Sequence, residues 1–119
     1  MRILLVDDNA MNVELFTDSL EADGHEVVVE RDGPRGRERG LAERFDAIIL
    51  DIQLPGMDGY AVCRELRSGG VRSPILALSS AAMADQVTRG VSAGFDTYLT
   101  KPISPMALRE AVRRAAAAA

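Results

Sequence analysis

Short apolar runs recur along the chain at residues 3–6, 27–29, 47–50, 75–78 and 97–99. Each is too short for a helix, most are built from Val, Ile and Leu, and Asp, Gly or Pro stands close to their ends. That pattern predicts strands buried on both faces. Between the runs the spacing turns helical. Residues 9–23 carry Leu15, Phe16 and Leu20 on one side and stop at Gly24. Residues 34–41 predict a weaker, arginine-rich helix. Asp58 caps a third helix holding Ala61, Val62, Cys63 and Leu66, which Gly69-Gly70 ends. Residues 82–93, with Val87 and Val91 one turn apart, predict a fourth that ends at Gly94. Ser104 caps a fifth through Pro105, Met106 and Leu108 to Val112, with proline at the first helical position. Strand and helix thus alternate along residues 1–119, which predicts one α/β domain: a parallel sheet covered by helices on both sides, joined by right-handed crossovers.

Composition narrows the classes of function. The chain has 119 residues, 47% apolar and 27% charged, enough for one sizeable core. A formal net charge of -4 argues against direct contact with nucleic acid or an anionic membrane. Arginines at 31, 35, 37, 39 and 44 form a local basic stretch, read as a solvated helix face. Cys63 is the only cysteine, so no internal disulfide forms, a reducing compartment fits, and the thiol reads as buried and inert. His25, the only histidine, opens the second strand without a second ligand of its kind. No run approaches the ~20 apolar residues of a membrane helix and no signal peptide precedes the first strand, so the expected location is cytoplasmic. The closing alanines, 115–119, leave open whether they prolong the last helix.

The candidate chemistry sits where strands end. Ligands of open α/β sheets bind beyond the carboxyl ends of the strands. Asp7 and Asp8 follow the first strand, Asp51 the third, Ser79 and Ser80 the fourth, and Lys101 the fifth. Lys101 is also the only lysine beside thirteen arginines. A compact ammonium on a flexible stem suits a single phosphoryl oxygen better than a forked carboxylate contact. Three carboxylates brought together repel, so one keeps a proton or the group binds a cation. Oxygen-only ligands favour Mg²⁺, which retains waters and bridges to phosphate. A carboxylate beside such an ion can attack phosphorus, Lys101 can offset the incoming charge, and the Ser79 hydroxyl can donate to a phosphoryl oxygen.

In sequence order, Val-Asp7-Asp8-Asn, Leu-Asp51-Ile-Gln-Leu-Pro-Gly-Met-Asp-Gly, Ala-Leu-Ser79-Ser and Tyr98-Leu-Thr-Lys101-Pro102 resemble the receiver (response-regulator, CheY-like) domain of two-component signalling. The resemblance covers essentially the whole chain. The segment Asn-Ala-Met-Asn-Val-Glu-Leu-Phe, with Asp-Ile-Gln-Leu-Pro, looks closest to stand-alone DivK-like regulators. It implies a doubly wound, flavodoxin-like sheet in the order 2-1-3-4-5. Asp51 then matches the phospho-accepting aspartate. Asp8, Asp51 and the backbone carbonyl of Gln53 would ligate Mg²⁺, with Asp7 acting mainly through water. Ser79 matches the switch hydroxyl, Lys101 the phosphate-contacting lysine, and Tyr98 the switch aromatic that turns inward when the hydroxyl moves. Pro102 would follow a cis bond. Ser80 replaces the commoner Ala or Gly, and Gln53 a frequent Met.

The implied partners are a histidine kinase or phosphotransfer protein, which presents phosphohistidine, and a downstream protein target. The domain would catalyse only its own modification. On phosphorylation, the surface of the fourth helix, fifth strand and last helix would rearrange, given room by Ala81, Ala82 and Ala84. Three rivals fare worse. A haloacid-dehalogenase-type phosphatase wants Asp-x-Asp, but Gln53 stands at the second place. A flavodoxin-like cofactor binder needs a hydroxyl- and glycine-rich loop where Asp7-Asp8-Asn9-Ala10 stands. A pseudo-receiver that only binds partners is disfavoured by the full acidic set and lysine. A receiver cut from a hybrid histidine kinase or multidomain regulator fits the same motifs.

Overall fold

Alternation within the strands decides which face each residue serves. In the computed structural model, residues 1–80 and 91–118 are described. β1 (Arg2–Val6), β2 (Glu26–Glu30), β3 (Ala47–Asp51), β4 (Ile75–Ser79) and β5 (Thr97–Thr100) form one parallel sheet in the order 2-1-3-4-5. Every residue of β3 and β4 is buried, whereas β2 and β5, at the two edges, are only half-buried. Leu4, Val6, Ile48, Leu50, Ile75 and Ala77 face one side; Ile3, Leu5, Ala47, Ile49, Leu76 and Leu78 face the other. Two cores result, one on each face, as the crossovers of a parallel sheet require.

Among the described residues, the helices seen from end to end are α1 (Ala10–Ala22), α2 (Gly33–Ala42), α3 (Gly59–Ser68) and α4 (Pro105–Ala118). Val13, Phe16 and Leu20 of α1 join Leu108, Val112 and Ala115 of α4 beneath one face. Tyr60, Val62, Cys63 and Leu66 of α3 fill the other. Side-chain caps start the helices: Asn9, Asp32 and Asp58 accept from Asn12, Arg35 and Ala61 N–H, and the Ser104 hydroxyl accepts from Ala107 N–H at 3.0 Å. The closing alanines continue α4 to Ala118.

Several expectations need correction. Leu15 is 48% exposed, because Val13, Phe16 and Leu20 at i, i+3 and i+7 set the buried stripe instead. β3 and β4 run one residue further than predicted, so Asp51 and Ser79 lie inside the ladder, opposite Leu78 and Thr100. The basic stretch does lie at the surface, where Arg39 bridges Glu30 and Glu43 and Arg37 pairs with Glu65. The predicted fourth helix, with Val87 and Ala81, Ala82 and Ala84 near it, lies outside the described residues except at 91–93, which are helical. Among the described residues no helix is long and apolar enough to cross a membrane.

The inner face of α2 is glycine. Gly33, Gly36 and Gly40 are buried, and a Cβ on Gly36 would lie 2.8 Å from both Val6 methyls. α2 therefore rests closer to the sheet than a helix with side chains could. Gly→Ala ordinarily strengthens a helix by about 1 kcal/mol. At Gly36 the contact reverses the sign: Gly36→Ala is expected to lower unfolding free energy by about 1–3 kcal/mol in urea titration. A raised midpoint would contradict this packing.

Candidate functional site

Register brings the predicted residues to one rim. Val6 pairs with Leu50, Asp51 with Leu78, and Ser79 with Thr100, so residues following β1, β3 and β5 emerge side by side. Lys101 N–H donates to the Ser79 carbonyl at 2.6 Å, extending the β4–β5 ladder to the lysine. The Lys101–Pro102 peptide is cis.

Asp51 is 2% exposed. Its Oδ1 accepts the Gln53 N–H at 3.0 Å and its Oδ2 the Lys101 ammonium at 2.6 Å. Asp7 is fully buried; its Oδ1 accepts the Asn9 N–H at 2.9 Å, while its Oδ2 has no hydrogen-bond partner among the described residues. Asp8 is exposed. One carboxylate oxygen from each of Asp7, Asp8 and Asp51 lies within 4.8 Å of the others. Ser79 is 5% exposed, Ser80 and the Gln53 side chain are exposed, and Lys101 retains 22% side-chain exposure.

Two glycines shape the loop after β3. Gly59 N–H donates to the Ile52 carbonyl at 2.9 Å, and a Cβ there would come within 2.5 Å of the Asp51 carbonyl oxygen. Gly33 N–H donates to the Pro55 carbonyl at 3.1 Å, and a Cβ on Gly33 would overlap the Met57 carbonyl. The loop that carries Gln53 is thus pinned to the starts of both α2 and α3.

Burial is the main reason the Asp7 carboxyl is pushed up from 3.8 to about 6; the Asn9 N–H and Lys101 lower it, and the Asp51 charge raises it. With one ammonium against three carboxylates, the ionised cluster keeps a charge deficit of two, which a divalent cation neutralises. The unpartnered Asp7 Oδ2 and the all-oxygen donor set fit Mg²⁺. By contrast, a cleft of about 800 Å³ opens at the other end of the sheet, between residues 40–46 and 69–74, away from this chemistry.

Tyr98 lies half-buried against the α3-side core, with its hydroxyl 2.9 Å from that of Tyr60. Sequence reasoning had passed over Tyr60. Asp58-Gly59-Tyr60 shows locally only an aromatic in the first turn of a helix that starts beside Asp51; the fold brings its hydroxyl to Tyr98.

Known proteins share the family and the fold. The family model of the response regulator receiver domain matches residues 3–113. The response regulator MprA of Mycobacterium leprae is 40% identical over 87% of this chain and 46% of its own length. The alkaline phosphatase synthesis transcriptional regulatory protein PhoP of Bacillus subtilis is 36% identical over 94% of this chain and 47% of its own. Protein RcaC of Microchaete diplosiphon is 36% identical over 95% of the chain, which spans 17% of that protein. The chain therefore spans less than half the length of these relatives. Among solved structures, the receiver domain of the sensor histidine kinase PA1611 of Pseudomonas aeruginosa, with magnesium in its active-site cleft, is 33% identical; its TM-score is 0.89, covering 98% of this chain and 97% of that one. A CheY-like receiver domain protein from Methanospirillum hungatei gives a TM-score of 0.92 at 26% identity, covering 98% and 94%.

The charge crowding predicts a pH dependence. Because the folded value of Asp7 lies above its ordinary one, ionising it costs stability. That cost is absent below about pH 4, grows as pH rises, and is complete above about 6. Asp7→Asn is expected to raise metal-free stability at pH 7.5 by about 3 kcal/mol, the order of a two-unit shift, and to lose that gain near pH 4. The same variant should weaken Mg²⁺ binding. Urea unfolding with EDTA at both pH values checks the first; equal stability of variant and parent at pH 7.5 would contradict it.

Proposed function

This chain belongs to the response regulator receiver family, and from that premise we propose that residues 1–119 act as one receiver domain that takes a phosphoryl group from phosphohistidine onto Asp51. The observation that carries the reading is the setting of Asp51: nearly buried, one oxygen on a backbone N–H, the other on Lys101, beside two further carboxylates. The broad likenesses carry the receiver family; they do not single out DivK-like regulators.

Asp8, Asp51 and the Gln53 carbonyl would hold Mg²⁺, with Asp7 acting mainly through water. When bound, the ion supplies positive charge to offset the phosphoryl oxygens. An Asp51 carboxylate oxygen attacks phosphorus, the phosphorus–nitrogen bond to the donor imidazole breaks, and the leaving nitrogen takes up a proton. Lys101 is already at the nucleophile. Its flexible stem lets it leave Asp51 for a phosphoryl oxygen, while the Gln53 N–H keeps Asp51 oriented. Ser79 then donates to another phosphoryl oxygen, and Tyr98 follows the loop. The domain modifies itself and later loses the group to water; it does not turn over an external substrate.

The donor is a histidine kinase or phosphotransfer protein. Met11 and Leu15 of α1 and Met106 of α4 are 71%, 48% and 71% exposed, on helices that pack together beneath the same face of the sheet. Asn9 caps α1 directly after Asp8, which places that apolar face beside the carboxylate rim. We place the domain in the cytoplasm, its output passing by contact with a protein target. The domain itself makes no direct contact with nucleic acid or membrane.

Incubation with acetyl phosphate and Mg²⁺, followed by intact-mass measurement, should give one phosphoryl adduct. It should be absent without Mg²⁺ and in Asp51→Asn. An adduct that persists in Asp51→Asn would overturn the acceptor assignment. No adduct from either acetyl phosphate or a phosphohistidine donor would favour a partner-only pseudo-receiver. Lys101→Arg should keep the charge but lose most of the partner response, because a planar fork cannot replace the point contact; an unchanged response in a pull-down would contradict that role.

A further inference from the structure

We propose that Tyr60 is a positioning residue for Tyr98: its hydroxyl holds the switch ring against the core before any phosphoryl group arrives. The inference rests on the receiver reading for its consequence, but its geometry stands apart. Tyr60 is 3% exposed in the first turn of α3, and its ring meets that of Phe95 edge-on, with centroids 6.2 Å apart at 77°. Gly59, the preceding residue, bonds the Ile52 carbonyl and lies against the carbonyl of Asp51. The start of α3 is therefore seated against the turn after Asp51 through Gly59, and the Tyr60 ring is braced by Phe95.

Tyr98 is held less firmly. It lies on β5, an edge strand in which no residue is fully buried. Tyr98 pairs with Ala77, two residues before Ser79 on β4. A ring at that place can pack against the sheet or turn outward to water. The 2.9 Å contact between the two hydroxyls favours the packed pose. A neutral hydrogen bond shifts such a ratio on the order of fivefold. The start of α3 thus ties the turn beside Asp51 to the switch ring. Part of the inward bias is present at rest, and phosphorylation has less left to supply.

The two tyrosines, in a chain without tryptophan, make a direct test. Ring-¹³C-labelled tyrosine gives two spin systems, and Tyr60→Phe leaves only that of Tyr98 while keeping the Phe95 packing. In that variant the packed-to-outward ratio of Tyr98, read from its cross-peaks to buried methyls, should fall on the order of fivefold. Beryllofluoride with Mg²⁺ should then restore them, a larger response than in the parent. Tyr98→Phe should leave the Tyr60 signals in place, because Tyr60 is held by α3 and Phe95. Unmoved Tyr98 signals in Tyr60→Phe would overturn the proposal, as would Tyr60 signals that move equally in Tyr98→Phe. The metal-free comparison needs no phosphoryl chemistry. Failure of Asp51 to take beryllofluoride would therefore count against the receiver reading alone.

Discussion

Negative charge crowded at the carboxyl ends of β1 and β3 is the constraint that organises this molecule. Asp7 and Asp51 are almost wholly withdrawn from water, and Asp8 stands beside them. Such a group tolerates burial only where backbone donors and cations offset it. The Asn9 and Gln53 N–H groups each serve one carboxylate, and Lys101 serves Asp51 at 2.6 Å. The negative charge that remains is what a divalent cation would offset. Burial and the neighbouring Asp51 charge push the Asp7 carboxyl up to about 6, so proton and cation would compete for the same carboxylate.

Backbone packing holds this charge in place. Three contacts matter: the β4–β5 ladder that delivers Lys101, the close approach of Gly59 to Asp51, and the seating of Gly33 against the Met57 carbonyl. Each is set by an element that lies outside the cluster. The helices α2 and α3 therefore do more than cover a face, because both of their first turns fix the loop that carries Gln53. Arg39 pins the end of α2 to β2 through Glu30, so even the arginine-rich surface contributes to that seating.

Strand periodicity and cap residues made the fold legible, since five buried runs alternating with capped helices admit few architectures. The candidate site was legible for the same reason: its residues stand immediately after, or at the end of, those runs. What escaped was information carried between distant elements. Leu15 looks like a core residue until Val13 and Phe16 fix the angle of α1. The glycines of α2 look like poor helix formers until Val6 and Leu66 are found pressed against them. Tyr60 looks like ordinary core, because only the tertiary fold brings its hydroxyl to Tyr98. The ion pairs of Arg37 with Glu65 and of Arg39 with Glu30 likewise join residues that no local spacing connects.

Lys101 offers the most direct test, because it is the only lysine in the chain. Lysine labelled with ¹⁵N at the side chain gives one ammonium signal, which reports contact with Asp51 and its replacement by a phosphoryl-like group. The signal should exchange slowly in the metal-free domain and shift when Mg²⁺ and beryllofluoride are added. In Asp51→Asn it should exchange faster and no longer respond. An ammonium that exchanges rapidly in the parent domain and ignores both additions would contradict a lysine poised between aspartate and phosphate.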